Sequence, residues 1–108
     1  MKHVTAEALP IAWVPGAIPA AERPGHFQLI RELFEKQAPE RAEVPGGYVF
    51  RFPASSFDAV ARFVSNERRC CPFLAFALSV KPADAGVQLK LTGPEGTREF
   101  LKAELCAC

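Results

Sequence analysis

The first regular pattern runs between Pro24 and Pro39. Phe27, Ile30, Leu33 and Phe34 recur there at spacings of three and four, with Arg31, Glu32, Glu35 and Lys36 between them. That period predicts an amphipathic helix. Pro24 suits its first turn, where a missing N–H costs nothing, and Pro39 marks its stop. Val44-Pro45-Gly46-Gly47 reads as a turn, after which Tyr48, Phe50 and Phe52 alternate with Val49 and Arg51 as a strand with one aromatic face. Beyond Pro53, Ser55 caps a second helix, with Asp58 in the reciprocal capping position. Phe57, Val60, Ala61 and Val64, with Phe63 beside them, form its apolar stripe. That helix ends near Cys71, because Pro72 disfavours helical backbone in the residue before it.

Leu74, Phe76, Leu78 and Val80 alternate with Ala75, Ala77 and Ser79, Pro82 to Gly86 turns the chain, and Val87, Leu89 and Leu91 alternate with Gln88 and Lys90. This is the clearest hairpin in the sequence. Thr92-Gly93-Pro94-Glu95 opens a last helix whose apolar side is Phe100, Leu101 and Leu105. Residues 1–23 read as an irregular segment broken by prolines, in which Leu9, Ile11 and Trp13 alternate as a short edge strand would. The order (β)-α-β-α-β-β-α describes an α+β domain, a small, mostly antiparallel sheet with helices packed on one face. A single domain over residues 1–108 is expected, with 106–108 a flexible tail.

The chain has one domain's length, and at 49% hydrophobic residues it can bury a core without staples. Thirteen Lys+Arg against twelve Asp+Glu leave a net charge of +1. A nucleic-acid partner is therefore not expected, since phosphate neutralisation needs a basic surface. No apolar run approaches the ~18–20 residues that cross a bilayer, and no signal-type apolar core follows Met1-Lys2-His3. A cytoplasmic protein without a membrane partner is the expectation. No nucleophile triad, His-Glu-x-x-His, phosphate loop or dinucleotide fingerprint is present, so no catalytic residue is assigned and a non-enzymatic role is favoured. His3 and His26 read as surface or helix-end residues.

The cysteines change this picture. No cysteine precedes Cys70-Cys71, and the other two are Cys106 and Cys108. A disulfide needs Cα atoms roughly 4.4–6.8 Å apart, more than the ~3.8 Å of one trans peptide, so reduced thiols are expected. Adjacent thiols suit soft ions, with Zn²⁺, Cu(I), Hg²⁺ and As(III) as candidates. Cys70 and Cys71 are the candidate metal ligands, and Cys106 and Cys108 their candidate assistants. Arg68 and Arg69 would favour thiolates, against the helix C-terminus, and Glu67 is a candidate base. Successive helical side chains stand about 100° apart, so one thiol would face the core and the other outward. A second reading stands beside this one. Free cysteines often serve as small buried hydrophobes, which would leave a structural or protein-interaction module, homodimeric, with an uncovered sheet face or the exposed aromatics of residues 1–23 as its contact surface.

Gly47 to Pro53, the run Glu67-Arg68-Arg69-Cys70-Cys71-Pro72-Phe73-Leu74, Leu91 to Gly96 and Phe100-Leu101 resemble a family of small uncharacterised bacterial domains. Such domains occur alone and, in similar form, next to MerR-type metal-responsive regulators. The resemblance covers about residues 45–105. It implies an α+β domain and, by association, a link to heavy-metal response, with no activity attached. This chain carries no helix-turn-helix DNA-binding domain, so it would not itself be such a regulator.

Overall fold

A four-stranded antiparallel sheet in the order β1-β2-β4-β3 organises the molecule. The computed structural model describes residues 15–105. Two short 3₁₀ turns, Pro15–Ala17 and Ala20–Glu22, lead into helix α1, Arg23–Ile30, which widens into a π-helical stretch, Arg31–Lys36. There the Gln37 N–H reaches back five residues to the Glu32 carbonyl. Strands β1, Glu40–Val44, and β2, Gly47–Phe52, follow, then helix α2, Phe57–Cys70, strands β3, Ala75–Val80, and β4, Val87–Thr92, and helix α3, Thr97–Leu105. The α+β architecture expected from the sequence is present. The suggested strand at Leu9, Ile11 and Trp13 lies outside the described residues.

Strand β1 carries no apolar alternation, which is why the sequence pattern passed over it. Its five residues, Glu-Arg-Ala-Glu-Val, are mostly exposed. It forms because Pro45 and Gly46, the latter at φ +82°, close a tight turn onto β2. Proline followed by a positive-φ glycine meets the demands of a type II turn. The hairpin β3–β4 pairs as expected, Leu78 opposite Leu89 and Phe76 opposite Leu91. Tyr48, Phe50, Phe52, Val87, Leu89 and Leu91 are all buried on one sheet face. On the other face Arg51 and Lys90 are exposed. Among the described residues the three helices cover the first face only, which completes the core with Leu33, Phe34, Val60, Phe63 and Leu101.

Two helix starts differ from expectation. Ser56, not Ser55, precedes α2, and its hydroxyl donates to Gln37 Oε1 at 2.8 Å instead of capping the helix. Helix α3 begins at Thr97, because Gly93 to Gly96 form a turn with Gly96 at φ +97°. Gly93 itself lies hard against the Thr97 side chain, where no Cβ would fit.

Candidate metal centre

Helix α2 buries Val60, Phe63, Glu67 and Cys70. Spacings of three, four and three put these residues on one helical face, so an acid and a thiol extend an aromatic stripe inward. Cys70 ends the helix. Cys71 leaves helical geometry at φ −130° and ψ 70°, as expected before Pro72. The 100° step of a continuing helix therefore does not apply, and the second thiol turns inward as well. Both cysteines are fully buried. The expectation that one would face outward is corrected: the proline breaks the helix at the residue that would have carried it.

The thiols are not packed among hydrocarbon alone. Glu67 is 1% exposed and His26, on α1, 2%. His26 Nε2 lies 2.8 Å from Glu67 Oε1, a contact spanning 41 residues of sequence. The Cys71 thiol donates to Glu67 Oε2 at 3.2 Å, and the Cys70 thiol lies 3.8 Å from Glu67 Oε1. One carboxylate thus gathers an imidazole and two thiols. The imidazole ring stacks against Phe63, with centroids 6.1 Å apart. Its Nδ1 is buried and has no hydrogen-bond partner among the described residues.

His26 was read from the sequence as a surface or helix-end residue, and the structure overturns this. His26, Ile30, Leu33 and Phe34 follow the same three-and-four spacing along the first helix. That signal was available, but a polar ring at the head of an apolar stripe did not count towards the period. The sequence offers Glu67 as a candidate base; its place on the Val60–Phe63–Cys70 face buries it beside the thiols. Arg68 and Arg69 are exposed. Arg69 Nη2 reaches Asn66 Oδ1 at 2.9 Å and Glu22 Oε1 at 3.3 Å. Support for the thiols therefore falls to Glu67 and His26, the two groups that share their pocket. Cys106 and Cys108 lie outside the described residues.

Electrostatics within the cluster follow from the lack of water. Burial alone would lower the His26 pKa. Hydrogen bonding to Cys70 and Glu67, with the negative charge there, outweighs it and raises the imidazole from 6.5 to about 9. The raised pKa keeps the His26 imidazole protonated near neutral pH. Hydrogen bonding with Cys70, burial and the Glu67 charge push the Cys71 thiol far up, so it stays protonated. Glu104 on α3 is half-buried, and burial together with the Glu67 charge raises its carboxyl. No family model, curated protein or solved structure matches the chain.

The donor set can be tested against metal geometry directly. One ligand atom each from His26, Glu67 and Cys70 can be chosen so that all lie within 4.8 Å of one another. Zinc takes nitrogen and oxygen at about 2.0–2.2 Å and sulfur at about 2.3 Å, so a tetrahedral ion sets N···O near 3.3 Å and S···O near 3.5 Å. The observed 2.8 Å and 3.8 Å bracket these values within about half an ångström. A thiolate, a carboxylate and a neutral imidazole around a divalent ion also leave no net charge in the core, which removes the main cost of burying it.

Proposed function

We propose that the protein binds a metal ion through a buried centre formed by His26, Glu67 and Cys70, with the Cys71 thiol donating to the second carboxylate oxygen. The observation that carries this reading is the convergence of nitrogen, oxygen and sulfur donors, all buried, from two helices. A mixed N/O/S set is borderline in softness and suits Zn²⁺ better than a purely thiophilic ion. Cu(I), Hg²⁺ and As(III) would draw on the two thiols and leave His26 and Glu67 to each other. The likeness of the Glu67–Leu74 run to domains found beside metal-responsive regulators supports a role in heavy-metal response. Binding must release the protons that hold the cluster together, from the Cys70 thiol and from His26.

A second reading has its own observation. The 2.8 Å His26–Glu67 contact already pairs both charges, as in a purely structural polar core. Metal titration of the reduced protein separates the two. One ion per chain, lost in Cys70→Ser and in His26→Gln, supports the centre. Equal uptake by the wild type and a Cys70→Ser/Cys71→Ser variant removes it and leaves the structural reading.

A further inference from the structure

The two edges of the sheet are unlike. Edge strand β1 carries Glu40, Arg41 and Glu43, charges of the kind that keep an open strand from pairing. Edge strand β3 is Ala-Phe-Ala-Leu-Ser-Val, with no charge and no proline. Val80 at its end is 59% exposed, although it stands on the same sheet face as the buried Val87.

The ladder shows which backbone groups the open edge presents. The Lys81 N–H donates to the Gly86 carbonyl at 2.9 Å, one rung beyond the Val80–Val87 pair. Bonded and non-bonded pairs alternate along an antiparallel ladder. Ala75, Ala77 and Ser79 are therefore bonded to β4, while Phe76, Leu78 and Val80 turn their N–H and C=O groups to the open side. The opposite flank of β4 agrees. The Gly93 N–H donates to the Gly46 carbonyl, one rung beyond Thr92–Gly47, which directs Val87, Leu89 and Leu91 to β2 and leaves Gln88, Lys90 and Thr92 for β3. Among the described residues, no strand takes up the groups of Phe76, Leu78 and Val80.

We propose that a second copy of this chain pairs with this edge, β3 against β3 in antiparallel register about a two-fold axis at Leu78. That register is self-complementary. Leu78 faces Leu78 of the second copy, and Phe76 and Val80 face each other twice, so the exposed valine is covered by an aromatic ring. On the other sheet face Ala77 meets Ser79, both small, and no charge opposes the approach. The result is a continuous eight-stranded sheet with the charged β1 strands at both outer edges, a closed assembly that cannot grow further by the same contact. The pairing does not depend on the metal reading.

A single strand pair buries less than the ~1,200 Å² of a standard interface, so the dimer is expected to dissociate on dilution. The test is analytical ultracentrifugation of the full chain from micromolar to millimolar concentration, with amide exchange measured at both extremes. A dimer of twice 11.8 kDa is expected, with exchange at Phe76, Leu78 and Val80 slowed at least tenfold at high concentration. Val80→Lys and Val80→Pro should both return the chain to monomer. Neither removes a bond to β4, because the Val80 N–H faces the open side, and unchanged circular dichroism would show that each still folds. A monomer at millimolar concentration would overturn the proposal. So would a dimer that persists in both variants, or a monomer that dimerises only when residues 1–14 are deleted, since that segment would then be the occupant of the edge.

Discussion

The His26 ring on α1 and the Glu67 carboxylate on α2 meet at 2.8 Å with almost no exposure of either, so the two helices are joined by an ion pair inside the core. The contact couples helix packing to whatever occupies the cluster, because any ion that takes these atoms must replace the proton between them.

Breaking the pair on one side leaves the other charge buried alone. Glu67→Leu is expected to cost about 3–5 kcal/mol in the metal-free protein, measured by urea unfolding with chelator and reductant present. His26→Leu/Glu67→Leu removes both charges and is expected to recover most of that loss, since an apolar replacement of a buried pair is often neutral. A double variant that loses the sum of the separate Glu67→Leu and His26→Leu losses would show that the pair is not coupled.

Stability of the metal-free protein should fall with rising pH. His26 is held at about 9 when folded, against 6.5 ordinarily. Its contribution is whole below pH 6.5, shrinks as the unfolded chain loses the proton first, and is gone above about pH 9. The Cys71 thiol is raised above its ordinary 9.0 and adds a loss of the same sign at higher pH. Urea midpoints between pH 6 and 9 read this directly, and His26→Gln should flatten the slope.

Much of this was legible in the sequence. The β3–β4 hairpin, the aromatic face of β2 and the helix stop before Pro72 followed from alternation and proline placement. Strand β1 did not, because it is charged and exposed and is held by a turn rather than by burial. At the candidate site, the vicinal thiols were found by residue type alone. His26 was missed because buried polar residues interrupt the apolar signal that marks a core face. The inward turn of both thiols was missed because helical spacing was carried one residue too far, across the break that Pro72 imposes at Cys71.

Thiol reactivity provides an independent check. In a Cys106→Ser/Cys108→Ser background, Cys70 and Cys71 should react with a bulky disulfide reagent only as fast as the protein opens, since both are fully buried. Reaction should be at least 100-fold slower than in denaturant. Zinc should slow it further, whereas rapid modification of the folded protein would show the thiols to be accessible.

The two thiols should also differ in metal affinity. Cys70→Ser removes a ligand, whereas Cys71→Ala removes a donor to the carboxylate and is expected to cost about 10–100-fold, as supporting hydrogen bonds do. Competition with a chromophoric chelator measures both, and the loss in Cys70→Ser should be the larger.

The most direct measurement is native mass spectrometry of the reduced Cys106→Ser/Cys108→Ser protein titrated with Zn²⁺, beside the same protein carrying His26→Gln. One zinc per chain, absent after the histidine change, is the expected result. Failure to take up zinc, or uptake indifferent to His26, would contradict a centre built from His26, Glu67 and Cys70.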